Sequence, residues 1–203
     1  MPRAEHWAAA VAVFIAIPLL WVFSAALADG TVREREAPLR GLFGDAFFEA
    51  MGAGEKRSQH YLGNEFAAPD FALPDRTGAL YRLSDRRGRV VILNFWTVTC
   101  QPCLREMPTL ESLAKIAAED WGDVDVVGIS TDRGWEDVSL VVPEDSAMTL
   151  LFDPDRKVVE DKFGTELFPE TWIVDRQGVI RLRYDGALDW SKPSVLDVID
   201  AFR

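Results

Sequence analysis

The chain of 203 residues contains only two cysteines and two histidines, which limits the disulfides and metal sites that it can form. Cys100 and Cys103 stand in a single C-x-x-C sequence, so a framework of several disulfides is excluded. A structural zinc site would need a second C-x-x-C or a histidine pair, and His6 and His60 lie far away in the sequence. Covalent haem attachment needs histidine directly after the second cysteine, where Leu104 stands. We therefore expect no metal and no cofactor.

The chain also lacks an excess of positive charge. It has 22 Lys and Arg residues against 33 Asp and Glu residues, a net charge of −11, and no basic stripe. This acidity promotes solubility and argues against nucleic acid as a partner. With 48% hydrophobic residues at this length, the chain can bury one good-sized core but hardly two.

A long apolar segment without any charged side chain runs from Trp7 to Ala28. A membrane-spanning helix needs about 20 such residues, whereas a signal peptide has a shorter apolar stretch and a small-residue cleavage site. The length favours an uncleaved anchor, although Ala26-Leu27-Ala28 also reads as a cleavage site. Because both alternatives export the domain, we expect it at the extracytoplasmic face of the membrane or in the periplasm. Residues 1–28 would then be the anchor, or would be removed to leave a soluble protein.

The rest of the chain is predicted to be a linker followed by one domain. Residues 29–65 form the linker, with apolar side chains at helical spacing between Leu39 and Ala50. Over 66–203, strand and helix patterns alternate, which predicts an α/β fold with a central mixed sheet, helices on both faces, and a C-terminal β-hairpin and helix. The predicted strands are 79–84, 89–97, 124–130, 149–152, 171–174 and 179–184, and the predicted helices are 101–119, 135–142, 157–163 and 191–202.

The C-x-x-C sequence follows the apolar run Val90 to Trp96 and precedes a helical pattern. This order places Cys100 at the N-terminus of a helix, where the helix dipole and unpaired N–H groups stabilise a thiolate. Cys103 lies one turn further along, close enough to form a disulfide. A disulfide across two intervening residues constrains the unfolded chain very little, so a structural role explains the pair poorly. The spacing indicates a dithiol redox site.

Several other motifs accompany the two cysteines in order. They are Asn94-Phe95-Trp96, Ala68-Pro69-Asp70-Phe71, Val127–Asp132, Phe152-Asp153-Pro154-Asp155 and the hairpin Thr171–Gly178. Over about residues 66–203 this set resembles the thioredoxin fold and, more closely, the TlpA/ResA-like group of exported, usually membrane-tethered thiol–disulfide oxidoreductases. Several members of that group serve cytochrome c maturation. The resemblance implies protein disulfides as substrates and a membrane thiol carrier as electron donor.

The resemblance also assigns roles to individual residues. Cys100 matches the attacking cysteine, and Cys103 matches the resolving one. Pro169 matches the cis-proline that lies against the disulfide in this fold. Phe168 precedes this proline, and Thr99 stands where the group commonly has tryptophan. We therefore expect Phe168, Pro169 and Thr99 at the substrate-docking face.

Glu106 matches an acid that reductases of this group often carry near the second cysteine. It lies three residues after Cys103, on the same helix face, where it could exchange a proton with that thiol. The other interpretation is a solvated glutamate that the helix dipole favours. Asn94 occupies the place of a buried acid in thioredoxin itself, so that proton route is absent. Glu170, a weaker candidate, could either disfavour a nearby thiolate or face water.

Two alternatives to a thiol–disulfide oxidoreductase remain. A peroxiredoxin-like thiol peroxidase has a T-x-x-C site, which Thr97 and Cys100 match, but it also needs a proline where Leu93 stands. A non-catalytic copper or thiol-binding module would use Cys100 and Cys103 and would usually recruit histidine or methionine, which do not cluster nearby. We expect a protein-disulfide reductase that acts outside the cytoplasm, although the reduction potential decides the direction of electron flow.

Overall fold

The computed structural model describes residues 66–203. The predicted anchor or signal peptide, 1–28, and the predicted linker, 29–65, lie outside the described residues. Within residues 66–203, no helix is both long enough and apolar enough to cross a membrane.

Seven strands in the described part of the chain form two sheets. In the small one, β1 (Ala72–Pro74) pairs antiparallel with β2 (Leu80–Arg82). The main sheet has β3 (Val90–Trp96) at its centre and the order β5-β4-β3-β6-β7. Its other strands are β4 (Val124–Ser130), β5 (Thr149–Phe152), β6 (Glu170–Val174) and β7 (Ile180–Asp185). Strands β3, β4 and β5 are parallel, whereas β6 and β7 pair antiparallel, so the sheet is mixed as predicted.

Three α-helices occur in the same part of the chain: α1 (Gln101–Ile116), α2 (Trp135–Ser139) and α3 (Pro193–Asp200). Helix α1 starts directly after Cys100 and continues into a π-helical turn that ends at Gly122. Gly122 has a φ of 72°, a left-handed conformation that glycine adopts at helix ends without steric cost.

The predicted helix over 157–163 is wrong, because this segment is a series of turns. The carboxylate of Asp153 accepts hydrogen bonds from the backbone N–H groups of Val158 and Val159, at 2.8 and 2.9 Å. Arg156, just before the segment, has a left-handed φ of 55°. These local contacts outweigh the helical spacing of the apolar side chains.

The ends of the last helix also differ from the prediction. Helix α3 begins at Pro193 with Lys192 as its N-cap, whereas the sequence favoured Ser191 for that position. The hydroxyl of Ser191 instead donates to Asp189 at 2.6 Å. A side-chain hydrogen bond within the preceding loop therefore replaces the expected cap.

Strand β3 is buried along its whole length, as expected for a central strand. On one face, Val91, Leu93 and Phe95 belong to an apolar cluster that also contains residues of the β1–β2 hairpin, of the 3-10 turn Leu83–Arg86 and of segment 158–163. On the other face, Asn94 contacts Glu106 of α1. The end of β3 that leads to the cysteines is therefore fixed against α1.

Candidate active site

The two cysteines form a disulfide at the junction between β3 and α1, with a Cα–Cα distance of 5.2 Å. Cys100 is the N-cap of α1, and its Sγ accepts a hydrogen bond from the backbone N–H of Cys103 at 3.2 Å. Cys100 is partly exposed, whereas Cys103 is fully buried. Of the two cysteines, only Cys100 is therefore open to solvent, and the attacking and resolving roles remain predictions.

A buried carboxylate that was not among the predicted site residues holds the turn that carries Cys100. Asp132, just after β4, accepts hydrogen bonds from Thr97 Oγ1 at 2.6 Å, from the Val98 N–H at 3.0 Å and from Ser130 Oγ at 2.7 Å. The carbonyl of Thr97 in turn accepts from the Cys100 N–H at 3.1 Å. A Ser-x-Asp sequence at the end of a buried strand is the signal that could have indicated this support.

Glu106 is only 2% exposed, so the interpretation as a solvated glutamate is wrong. Its Oε1 accepts from Asn94 Nδ2 at 2.8 Å, and its Oε2 accepts from the Leu188 N–H and from Trp190 Nε1, both at 3.1 Å. Burial raises the pKa of Glu106 to about 7, and the three hydrogen bonds oppose that rise. The carboxyl can therefore gain or lose a proton near neutral pH.

Asn94 connects this acid to the neighbouring strand. It lies opposite Thr171 of β6 and donates to Thr171 Oγ1 at 2.9 Å as well as to Glu106. Its Oδ1 is buried without a hydrogen-bond partner among the described residues. The side chain therefore links the strand before the cysteines, helix α1 and the strand that follows Pro169.

The bond between Phe168 and Pro169 is cis, which confirms the conformation expected from the resemblance. Pro169 is buried, and its carbonyl accepts a hydrogen bond from the Gly186 N–H at 2.9 Å. The ring of Phe168 is half-buried, with the guanidinium of Arg156 at 5.7 Å from its centroid, and Thr99 is exposed. That these residues bind substrate remains a prediction.

Glu170 does not face water, because only 2% of it is exposed. Arg183 binds it through two contacts, Nε to Oε1 at 2.8 Å and Nη2 to Oε2 at 3.0 Å. Burial raises the pKa of Glu170, and Arg183 opposes the rise. The bidentate pair compensates the charge of this carboxylate, which makes it a poor partner for proton exchange with a cysteine.

Comparisons with known proteins agree with this geometry. Residues 65–183 match the AhpC/TSA family. The thioredoxin-like protein YneN of Bacillus subtilis is 34% identical over 115 residues, which cover 56% of this chain and 66% of YneN. The thiol-disulfide oxidoreductase ResA of Geobacillus thermodenitrificans is 30% identical over 126 residues, 60% of this chain and 68% of ResA.

A solved structure of a thiol:disulfide interchange protein is also similar to this chain. A protein of Chlorobium tepidum assigned as thiol:disulfide interchange protein DsbE is 30% identical, with a TM-score of 0.59 over 70% of this chain and 100% of that one. The predicted thioredoxin-like fold and the resemblance to ResA-like proteins are confirmed.

Proposed function

We propose, from the premise that this chain belongs to the AhpC/TSA family, that it reduces disulfides of other proteins outside the cytoplasm. The chain is a thiol–disulfide oxidoreductase, since its relatives carry that name and its own Cys100 and Cys103 form the required disulfide. One observation carries the proposal: the disulfide lies at a helix N-terminus with one sulfur accessible and the other buried. The resemblance to the TlpA/ResA-like group extends the proposed substrates to proteins of cytochrome c maturation.

In the proposed cycle, the thiolate of Cys100 attacks a substrate disulfide and forms a mixed disulfide, and the first substrate sulfur leaves as a thiolate. Cys103 then loses its proton to the carboxylate of Glu106 and attacks the Cys100 sulfur. The second substrate sulfur leaves and takes up a proton, so the substrate gains the two electrons that the dithiol loses. A membrane thiol carrier would return the oxidised protein to its dithiol form.

The proposed docking face comprises Phe168, Pro169 and Thr99. Because proline has no N–H group, Pro169 offers no donor of its own, and its role would be to turn the neighbouring backbone toward an extended substrate. The half-exposed ring of Phe168 offers an apolar contact surface. Thr99 provides a small polar neighbour to Cys100, where the group commonly has a large flat side chain.

A comparison of two activities tests this function. The reduced protein should reduce the disulfides of insulin far faster than it consumes hydrogen peroxide, because Leu93 replaces the proline that a peroxidase site needs. Both rates would be measured on the same reduced sample. Dominant peroxide turnover that survives in Cys103→Ser would favour the peroxidase. Copper binding without either turnover would favour the binding module.

We also propose that residues 1–28 anchor the domain at the outer face of the membrane, on the strength of the uncharged run from Trp7 to Ala28. Full-length protein expressed in bacteria should sediment with membranes, and externally added protease should digest it. Its mass should include residues 1–28. A mass without them would favour the cleaved signal peptide, and a protected protein in the cytosol would contradict export.

A further inference from the structure

The loop between β7 and α3, residues 186–192, reaches α1 and closes around the carboxylate of Glu106. The Leu188 N–H and the Trp190 indole N–H both donate to Oε2, each at 3.1 Å. The backbone N–H of Trp190 also donates to Thr109 Oγ1 at 3.1 Å. Because Trp190 is only 1% exposed, water cannot replace Glu106 as the partner of its indole. The indole N–H therefore relies on the Glu106 carboxylate as its hydrogen-bond acceptor.

The hydrogen bonds to Glu106 are distributed unequally between its two oxygens. An ionised carboxylate has about four lone-pair positions, two on each oxygen. Oε2 receives two donors, whereas Oε1 receives one, from Asn94 at 2.8 Å. All three donors are amide or indole N–H groups, which keep their protons at physiological pH. Among the contacts within residues 66–203, the acceptor position that is left lies on Oε1.

We propose that Trp190 is a positioning residue that, together with the Leu188 N–H, saturates Oε2 of Glu106 and directs proton uptake to Oε1. This inference rests on the proposed proton exchange between Cys103 and Glu106. In that step the S–H bond of Cys103 breaks, an O–H bond forms at Oε1, and the thiolate attacks Cys100. The indole N–H stabilises the ionised carboxylate, so it also lowers the proton affinity of Glu106.

Within residues 66–203, Tyr184 interacts electrostatically with Glu106, and Cys103, which titrates only in the reduced protein, is its neighbour on α1. Cys103 lies one turn earlier on α1, and Tyr184 of β7 packs edge-to-face on Trp190, with ring centroids 6.2 Å apart. Burial and the charge of Glu106 raise the pKa of Tyr184, so the phenol keeps its proton at neutral pH. The other side chains that reach the carboxylate, Asn94 and Trp190, do not titrate. In the oxidised protein, a charge change here near pH 7 therefore belongs to Glu106.

The indole resonance of Trp190 reports this contact without any change to the tryptophan. In oxidised full-length protein solubilised in detergent and labelled with ¹⁵N, the Nε1–H resonance of Trp190 should titrate with a midpoint at about pH 7. The same resonance should lose this titration in Glu106→Gln. A resonance that does not move with pH, or that still titrates in Glu106→Gln, would overturn the inference.

A variant pair then tests the effect on the reaction. Trp190→Phe removes the donor, so Glu106 should bind its proton more tightly. The pH dependence of mixed-disulfide resolution should shift by about one to two units to higher pH, the scale of one hydrogen bond to a charged group. Trp172→Phe is the matched control, because its buried Nε1 has no hydrogen-bond partner among residues 66–203. This control should leave the profile unchanged.

The double variant Trp190→Phe/Glu106→Gln distinguishes a failure of the proposed proton exchange from a failure of the proposed role of Trp190. Trp190→Phe should cause no further shift in a Glu106→Gln background, because the indole acts through that carboxylate. If Glu106→Gln alone leaves the profile unchanged, the proposed proton exchange is wrong. If Glu106→Gln changes the profile and Trp190→Phe does not, the role of Trp190 is wrong while the proposed function stands. Should Trp190→Phe not fold, the indole titration decides the question alone.

Discussion

Replacing Cys103 with serine should turn the protein into a trap that holds its substrates as mixed disulfides through Cys100. Without the second sulfur, the attack that releases the substrate cannot occur, and insulin reduction should fall by on the order of a thousandfold or more, as for other essential nucleophiles. Non-reducing electrophoresis should show adducts that dithiothreitol dissolves, and mass spectrometry should place the link at Cys100.

The matched control is Cys100→Ser. Because Cys103 is fully buried, this variant should neither trap substrates nor turn over. In the reduced wild-type protein near neutral pH, an alkylating reagent should label Cys100 well before Cys103, since the helix N-terminus stabilises the first thiolate. Faster labelling of Cys103, or trapping by Cys100→Ser instead, would reverse the two roles.

Glu106→Gln should remove the contribution of Glu106 to the pH dependence of folding stability and should alter the pH dependence of turnover. Burial raises the pKa of Glu106 from its ordinary value of 4.5 to about 7. Below pH 4.5 the folded and unfolded states both hold this proton, and the full stability is present. Between pH 4.5 and about 7 the unfolded state releases it first, so the contribution of Glu106 to stability falls, by about 3 kcal/mol.

Chemical denaturation of the oxidised protein between pH 4 and 8 measures this fall. We expect Glu106→Gln to reduce it, and to slow resolution of the mixed disulfide, with little change in shape at the substituted position. Glu119→Gln, at an exposed position after α1, is a control that should leave both properties unchanged. Parallel stability curves for wild type and Glu106→Gln would contradict the raised pKa. An unchanged pH–rate profile would contradict the proton exchange.

The sequence predicted the parts of the fold that depend on local pattern. Strand β3 is apolar except for Asn94 because both of its faces are buried, and α1 begins directly after its N-cap, Cys100. The segment 157–163 has helical spacing as well, but the N–H groups of Val158 and Val159 bind the carboxylate of Asp153, a side chain a few residues earlier in the chain. Apolar periodicity alone could not distinguish these two cases.

The candidate active site also combines features that the sequence pattern predicts with contacts that form only in the folded structure. Cys100 and Cys103 are neighbours in the sequence, so their chemistry could be predicted from spacing. The burial of Glu106 depends on Trp190, which lies 84 residues further along the chain, in a loop without any periodic pattern. The support of Cys100 by Asp132 likewise arises only when β3 and β4 pair in parallel. The contact between Glu106 and Trp190 carries no signal in a single sequence, whereas the Ser-x-Asp sequence at the end of β4 gives an indirect one for Asp132.

The unequal exposure of the two sulfurs has a consequence for how the enzyme meets its partners. Since Cys103 is fully buried, the substrate disulfide and the thiol that later reduces the enzyme must both react at Cys100. Two proteins cannot bind at the Cys100 sulfur at the same time, so the substrate and the reductant must bind one after the other. We therefore expect the Cys100 sulfur to react alternately with the substrate disulfide and with the reducing thiol, and the kinetics to follow a ping-pong order.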